Sequence, residues 1–204
     1  MKEKIVITGG AGFIGSKLGY MLAKRGYEVL LLDDLSYGHE DNLTINGDTF
    51  GTFKKIDIRS PELKNYFLGA DCIFHFAAIG TLPVCQKEPV NSIDVNVTGT
   101  VNVLEASRLA NVRRIIFASS GAVYENNTKF PCVEDDSINP NLIYSMSKSF
   151  CEKLCNSCSQ LYGMEVCITR YYNVYGPHQD VKRTSPAIVA YIIKELLQNK
   201  KPIL

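Results

Sequence analysis

Short apolar runs alternate with longer amphipathic stretches along most of the chain. The runs are rich in β-branched and other aliphatic side chains, a pattern typical of strands buried on both faces of a sheet. The stretches between them repeat apolar positions every three to four residues, as one face of a helix does. The predicted strands are residues 4–8, 28–33, 52–58, 71–76, 113–119 and 165–172, and the main predicted helices are 13–25, 89–110, 142–161 and 186–199.

This alternation predicts the fold class. Apolar strands separated by helices form a parallel sheet covered on both faces, so we expect an α/β protein with a doubly wound parallel sheet. One connection, residues 125–141, is rich in Asn, Ser and Pro. Its length predicts a functional loop.

Composition and charge argue against several classes of protein. The 204 residues are 46% hydrophobic and 21% charged, which allows a sizeable core and argues against disorder. The net charge is +1, with acids and bases interspersed, so nothing favours a nucleic acid or an anionic membrane as partner. Residues 1–8 lack the apolar segment of a signal peptide, and no apolar run is long enough to cross a bilayer. We therefore expect a cytoplasmic protein with no membrane or nucleic-acid partner.

The cysteines raise the question of a metal centre. The chain has seven, an odd number without a secretion signal, which indicates reduced thiols. Cys151, Cys155 and Cys158 have a spacing that resembles the iron–sulfur loop of radical enzymes. The same spacing marks one stripe of an amphipathic helix, whereas cluster ligands must converge on one point. The sequence favours packing in the core, and no metal site is predicted.

A glycine-rich turn follows the first predicted strand. In TGGAGFIG, Gly9, Gly12 and Gly15 lie between a strand and a helix. Glycines there permit a tight turn and close approach of a pyrophosphate to the helix N-terminus. Asp33 ends the second strand, where a carboxylate accepts hydrogen bonds from ribose hydroxyls and repels a 2′-phosphate. The alternative for Asp33 is a helix cap or turn residue. Together the features predict a dinucleotide site that favours NAD over NADP.

Tyr144 and Lys148 form a second candidate pair. They are four residues apart in the helix predicted from residue 142, so their side chains share one helix face. The pair is also compatible with a half-buried Tyr beside a solvated Lys. Only its surroundings in the sequence can decide between the two interpretations.

Several motifs in order carry a family resemblance. They are TGGAGFIG, Asp33, HFAA (75–78), Ser119-Ser120, Tyr144-x-x-x-Lys148 and RYYNVYGP (170–177). With them the chain resembles an extended short-chain dehydrogenase/reductase, most closely the NAD-dependent nucleotide-sugar epimerases of the UDP-glucose 4-epimerase type. The resemblance runs from Lys4 to about residue 200. It implies a Rossmann fold, NAD as cofactor, a nucleotide-sugar substrate and an isomerase of carbohydrate metabolism.

The resemblance also implies roles for single residues. Tyr144 would take a proton from a sugar hydroxyl while NAD takes hydride from the same carbon, C4, which gives a 4-keto sugar. Lys148 would stabilise the phenolate and hold the nicotinamide ribose, and Ser120 would hydrogen-bond the reacting oxygen. Substrate contacts are expected from Ser120, Tyr144 and Asn173. The residues expected to contact NAD are Gly9, Gly12, Phe13, Ile14, Gly15, Asp33, Asp34, Asp57, Ile58, Phe76, Ala77, Ala78, Asn96, Ala118, Tyr144, Lys148 and Tyr172.

Related reactions are weighed by the residues after Ser120. Dehydratases of this kind carry an Asp-Glu pair there and decarboxylating relatives a Glu, whereas this chain has Gly121 and Ala122, which cannot move protons. An epimerase is favoured over a related dehydratase or reductase, and an NAD-binding remnant or fragment without turnover stays open. Three residues depart from the family pattern: Gly80, Glu125 and His178. The remaining histidines, His39 and His75, are expected to be structural.

The resemblance further implies an incomplete second domain. Family members are longer, so we expect residues 1–180 to be the NAD-binding Rossmann domain and residues 181–204 to begin a truncated substrate domain, most of which is missing. Turnover slower than that of a full-length relative is expected, because the missing part would shield the keto sugar from water. A homodimer is expected through helices 89–110 and 142–161.

Overall fold

The computed structural model describes residues 2–177, 179 and 187–203. The chain divides into two compact units, Met1–Tyr171 and Tyr172–Leu204. His178, the predicted domain boundary at 180/181 and the predicted helix start at residue 186 lie outside the described residues, so the domain division stays a prediction. Among the described residues, none of the helices has both the length and the apolar character needed to cross a lipid bilayer.

The first unit is built on a six-stranded parallel sheet with the order β5-β2-β1-β6-β7-β8. This confirms the doubly wound fold. The order reverses between β1 and β6, and ligands of such sheets bind where the carboxyl ends of the strands meet this reversal. The strands are β1 Lys4–Thr8, β2 Glu28–Asp33, β3 Thr44–Ile45, β4 Asp48–Thr49, β5 Thr52–Lys55, β6 Cys72–His75, β7 Arg114–Ser120 and β8 Glu165–Tyr171, of which β3 and β4 form a separate antiparallel hairpin.

Helices cover both faces of the sheet. The α-helices are α1 Phe13–Lys24, α2 Leu63–Phe67, α3 Leu82–Lys87, α4 Pro89–Ile93, α5 Gly99–Leu109, α6 Ile143–Tyr162 and α7 Ile188–Leu197. Short 3₁₀ helices cover Glu40–Leu43 and Gly121–Tyr124. The predicted helix 89–110 is present as α4 and α5, joined by a π-helical turn at Asp94–Thr98.

The core lies in two apolar clusters, one on each face of the sheet. Alternate residues of a strand point to opposite faces, so Val6 joins one cluster while Ile5 and Ile7 join the other. Cys151 and Cys155 of α6 are completely buried in the first cluster. Burial raises the pKa of the Cys155 thiol to about 12, so it stays protonated. The packing interpretation of the cysteine stripe is confirmed for these two residues.

The second unit contains α7 and the segment that precedes the undescribed residues. Within α7, Tyr191 contacts the chain end, where its hydroxyl accepts a hydrogen bond from the Ile203 amide at 3.3 Å. Tyr172 and Asn173 both lie in this unit and are exposed to solvent. Their expected contacts with cofactor and substrate stay predictions.

Candidate active site

The glycine turn after β1 leaves no room for side chains. Gly9 has φ +70°, and a Cβ there would lie 2.7 Å from the Ala77 amide nitrogen. A Cβ on Gly15 would lie 2.2 Å from the Gly9 carbonyl oxygen. The turn is closed by a 3.1 Å hydrogen bond from the Gly12 amide to the Gly9 carbonyl. Only glycine fits at positions 9 and 15, so the turn at the carboxyl end of β1 is lined by backbone without side chains.

Helix α1 begins directly after this turn, and the backbone N–H groups of its first turn have no capping side chain. Its N-cap residue is Gly12, which has no side chain to cap the helix, and its first turn contains no acidic residue. The amides of Phe13 and Ile14 therefore face the turn together with the positive end of the helix dipole. Such an end can hold a phosphate or pyrophosphate through backbone N–H groups.

Asp33 lies beside the turn, at the end of β2. It is 8% exposed, and its two carboxylate oxygens accept hydrogen bonds from the Ala11 amide at 3.1 Å and the Leu35 amide at 2.8 Å. Burial raises the pKa of this carboxyl, while the two backbone donors oppose the rise. A carboxylate accepts more than two hydrogen bonds, so Asp33 can still bind a pair of hydroxyls. The neighbouring Asp34 accepts from the Ser36 amide at 2.9 Å.

The side chains of Asp57 and Ile58 make contacts with other residues of the protein. The Arg59 guanidinium holds the pKa of the Asp57 carboxyl below its ordinary value and also pairs with Asp94 at 2.6 Å. Asp57 also accepts from the Arg59 amide at 2.8 Å. This Asx turn ends β5 at Lys55, three residues before the predicted end at residue 58. Ile58 is buried, and a Cβ on Gly99 would lie 2.4 Å from its side chain. Their NAD contacts stay predictions.

The HFAA segment ends β6 against the glycine turn. The Phe76 amide donates to the Thr8 carbonyl at 3.0 Å, and the Ala77 amide lies 3.4 Å from the Thr8 hydroxyl. Ala78 is half-buried in the same segment. The predicted NAD residues that follow β6 are therefore next to those that follow β1.

His75 is buried in a chain of hydroxyl contacts. The Thr100 hydroxyl donates to the Asn96 carbonyl at 2.6 Å, so its oxygen accepts from His75 Nε2 at 3.0 Å. Nδ1 then accepts from the Thr8 hydroxyl at 2.7 Å. The neutral imidazole thus links β1 to α5, which agrees with the structural role expected for it.

This buried His75 should make the fold sensitive to acid. Burial first, and the charge of Lys148 second, lower the pKa of His75 from 6.5 to about 3. The unfolded chain therefore takes up the proton first, and stability falls as the pH drops below 6.5 towards 3. We expect the free energy of unfolding to fall by about 1.6 kcal/mol between pH 6.5 and 5, because the slope is about half of 1.4 kcal/mol per pH unit at pH 6.5 and approaches the full value near pH 5.

Urea unfolding at several pH values checks this expectation. His75→Gln should flatten the slope of the free energy of unfolding against pH between pH 6.5 and 5. Equal slopes for the unmodified chain and His75→Gln would contradict the prediction.

Asn96 lies in the π-helical turn and is 2% exposed. Its side-chain oxygen accepts from the Ile79 amide at 2.8 Å, and its side-chain nitrogen donates to the Ile79 carbonyl at 3.1 Å and to the Ser147 hydroxyl at 3.2 Å. The amide thus joins the segment after β6 to α6. Its side chain is occupied within the protein, and its contact with NAD stays a prediction.

The structure brings Tyr144 and Lys148 together at the end of β7. Lys148 is 5% exposed, and its ammonium donates to the Ala118 carbonyl at 2.7 Å. The same nitrogen lies 5.0 Å from the Phe117 ring centre and 6.0 Å from the Tyr144 ring centre. The alternative of a solvated lysine is therefore wrong. The Lys148 ammonium is buried beside the half-buried Tyr144 ring, on the same face of α6.

Ser120 is the last residue of β7, two residues after the carbonyl that holds Lys148. Its hydroxyl oxygen accepts from the Ala122 amide at 3.1 Å, which caps the 3₁₀ helix Gly121–Tyr124. The hydroxyl proton stays available for another acceptor. The three predicted catalytic residues thus lie on β7 and the first turns of α6.

A buried ion pair behind these residues was missed by the sequence analysis. Glu152 is 4% exposed and pairs with Arg170 of β8 at 2.8 Å. Glu152 also accepts from the Ser119 hydroxyl, and Arg170 donates to the Tyr124 hydroxyl. The available signal was Glu152 itself, since an acid four residues after Lys148, on the same buried helix face, requires a cationic partner.

Comparison with known proteins decides the family. The profile described as "NAD dependent epimerase/dehydratase family" matches residues 5–204. The chain belongs to this family. Its cofactor, NAD, fits the residues present, because the turn at Gly9 and Gly15 admits only backbone and Asp33 lies beside it. When bound, NAD would be held by the α1 N-terminus, Asp33 and the HFAA segment.

Several proteins with similar sequences or structures are named as epimerases. It is 37% identical over 203 residues to the "Putative UDP-glucose 4-epimerase" of Methanocaldococcus jannaschii, which covers 98% of this chain and 65% of the relative. The structure resembles UDP-N-acetylglucosamine 4-epimerase from Methanobrevibacter ruminantium M1, with a TM-score of 0.93, 32% identity, and coverage of 100% of this chain and 66% of that one.

A third relative was solved with its cofactor. The UDP-glucose 4-epimerase of Thermus thermophilus in complex with NAD gives a TM-score of 0.87 at 32% identity, with 98% of this chain and 64% of that one covered. The chain therefore spans about two thirds of the length of these relatives.

Proposed function

We propose that the chain carries the cofactor-binding and proton-transfer part of an NAD-dependent nucleotide-sugar 4-epimerase. The substrate class is a UDP-sugar of the glucose/galactose type. The observation that carries the proposal is the buried Lys148 ammonium, held by the Ala118 carbonyl and adjacent to the Tyr144 ring. Membership in the epimerase family and the similarity to UDP-sugar 4-epimerases support it.

In this proposal the chain's own residues handle the proton and the sugar oxygen. NAD supplies reversible hydride transfer at C4 of the sugar. Tyr144 is the general base: it accepts the proton of the C4 hydroxyl and returns the proton when the 4-keto sugar is reduced from the other face. Lys148 stabilises the phenolate by its charge, and Ser120 donates to the C4 oxygen. The sugar undergoes no net oxidation or reduction, because the hydride that leaves C4 returns to C4.

The residues after Ser120 favour epimerisation over dehydration. Gly121 and Ala122 form the start of the 3₁₀ helix and carry no titratable group. Loss of water from a 4-keto sugar needs an acid and a base near C5 and C6, and neither of these two residues can supply one.

The test combines an activity assay with a cofactor measurement. The purified chain is incubated with UDP-galactose, UDP-glucose formation is followed with a coupled enzyme, and NAD content is measured in the same sample. Interconversion with bound NAD supports the proposal. NAD binding without interconversion would favour an NAD-binding module without turnover, and release of water from the sugar would favour a dehydratase.

Asp33 should determine the choice of cofactor. Its carboxylate lies 3.1 Å from the Ala11 amide beside the glycine turn, where a 2′-phosphate would meet like charge. We expect NAD to bind more tightly than NADP, and Asp33→Ala to narrow the difference by weakening NAD binding and relieving the repulsion of NADP. Titration of both cofactors by calorimetry measures this. Equal affinities for the unmodified chain would overturn the assignment.

We further propose that the chain forms a homodimer through α4, α5 and α6. Exposed apolar residues lie on these helices: Val90 and Val101 on α4 and α5, and Met146 and Phe150 on α6. Burying them against a second copy would remove apolar surface from water. Light scattering at micromolar concentration tests this, and a monomeric mass would count against it.

A further inference from the structure

Helix α6 begins without any of the usual capping devices in its own sequence. Its N-cap residue is Leu142, which cannot accept a hydrogen bond through its side chain, and its first turn contains no acidic residue. A missing cap frays a helix end and costs about 0.5–2 kcal/mol. Tyr144 is the second residue of this helix, so fraying would act directly on the proposed base.

The start of α6 is instead held by two other segments of the chain. Gln86 Oε1 accepts from the Ile143 amide at 3.2 Å, and Glu125 accepts from residues on both sides of Ile143 and Tyr144. One carboxylate oxygen accepts from the Leu142 amide at 2.8 Å and also from the Asn141 amide. The other oxygen accepts from the Ser145 hydroxyl at 2.6 Å, which is closer than the Leu142 carbonyl at 3.1 Å. These contacts lie immediately before and after Tyr144. The negative charge also complements the positive end of the helix dipole.

Glu125 is itself tied to the strand that ends at Ser120. It follows the 3₁₀ helix Gly121–Tyr124 and occupies that helix's C-cap position. The preceding residue, Tyr124, accepts from Arg170, which pairs with Glu152 at 2.8 Å two turns after Tyr144 on α6. The segment 120–125 is therefore attached to α6 at two points. This fixes the start of α6 relative to Ser120.

We propose that Glu125 is a positioning residue: its carboxylate caps α6 from the segment after β7 and thereby holds Tyr144 in place relative to Ser120 and Lys148. The proposal rests on the proposed function for its catalytic meaning, but the geometry can be tested without turnover. Burial by itself would raise the pKa of Glu125, but the hydrogen bonds from Ser145, Asn141 and Leu142 hold it below its ordinary value. The carboxylate is therefore charged at neutral pH.

The Glu125 carboxylate also closes the base of the loop 125–141, because it joins the first residue of the loop to Asn141 and Leu142. A second contact at the same place supports this, because the Asn126 side chain donates to the Asn139 carbonyl at 2.6 Å. The loop is held at both sides of its base.

The experiment compares three variants by two measurements that need no substrate. Glu125→Ala removes the acceptor, Glu125→Gln keeps an acceptor without the charge, and Asp135→Asn removes an exposed charge from the same loop as a control. Hydrogen exchange is followed at residues 141–146. The ring resonances of tyrosine are followed by NMR in chains with ¹³C-labelled Tyr, with Tyr144 assigned by its loss in Tyr144→Phe.

We expect Glu125→Ala to speed exchange at residues 141–146 by about tenfold, the size of a lost helix cap, and to shift or broaden the Tyr144 resonance. Glu125→Gln should show a smaller change in both, and Asp135→Asn none. Where the chain turns over, Glu125→Ala should lower kcat and leave KM and NAD content close to unchanged, since Tyr144 moves but the other residues expected to bind substrate and NAD do not.

Three results would overturn the proposal. Unchanged exchange in Glu125→Ala would mean that the carboxylate does not cap α6. Faster exchange with an unmoved Tyr144 resonance would mean that Glu125 affects only the stability of the helix end. An equal resonance shift in Glu125→Gln and Glu125→Ala would mean that Glu125 acts through its charge alone. An inactive chain would leave these readouts intact, so failure of the proposed function and failure of this inference are distinguishable.

Discussion

Tyr144→Phe should lower the rate of UDP-sugar interconversion by roughly 10²–10⁴, the contribution of a positioned general base. The change removes one oxygen and leaves the ring that Lys148 approaches at 6.0 Å, so the shape of the site should persist. NAD binding should hardly change, because the glycine turn and Asp33 are not involved. The rate is measured with the coupled assay, and NAD content is measured in the same sample.

A second tyrosine of α6 provides the control. Tyr162 ends the helix, is exposed, and lies over the Arg108 guanidinium at 5.2 Å. Tyr162→Phe should leave the rate unchanged. Full activity of Tyr144→Phe would show that another group takes the proton, and the proposed mechanism would have to be abandoned.

Glu152→Gln should lower the free energy of unfolding by about 3 kcal/mol, the lower end of the 3–5 kcal/mol expected when one partner of a buried ion pair is lost. Glu152 is almost fully buried, and the Arg170 side chain is only 19% exposed. The variant leaves the Arg170 charge without its counter-ion and weakens the acceptor of the Ser119 hydroxyl. Urea unfolding measures the change, with the slope against urea expected to stay constant.

Two further variants show whether the cause is the unpaired charge. Glu105→Gln breaks an exposed pair with Arg108 and should cost no more than about 1 kcal/mol. The double change Glu152→Leu with Arg170→Met replaces both charges by apolar groups and should be less destabilising than Glu152→Gln alone. A double variant as unstable as the sum of its two single changes would contradict this explanation.

The sequence was sufficient for the features that repeat or that depend on backbone geometry. Apolar periodicity located the six strands of the sheet, and glycine spacing located the turn after β1, because both patterns follow from local sterics. Short elements such as α2, with five residues, were missed because one helical turn is too short to show a period. The π-helical turn was missed because Asn96 is held there by Ile79 and Ser147.

Contacts between distant segments were beyond the reach of sequence patterns. Glu125 was recognised only as a departure from a family pattern, since its partners lie 16 to 20 residues later. Lys148 was placed on the same helix face as Tyr144, but its burial depends on the Ala118 carbonyl of a strand 30 residues earlier. Such contacts depend on how α6 packs against the sheet, and no local sequence pattern specifies this packing.

The glycine turn has a consequence for how this chain can vary. The surface that would receive the pyrophosphate is made of backbone, so there is no side chain whose removal would test it. A substitution at Gly15 adds atoms within 2.2 Å of the Gly9 carbonyl, and any loss of cofactor would then report a displaced turn and not a missing contact. Phosphate binding at this turn thus depends on the space that the missing side chains leave open. Any substitution at Gly9 or Gly15 fills part of that space, so sequence changes at these positions can weaken cofactor binding but cannot strengthen it.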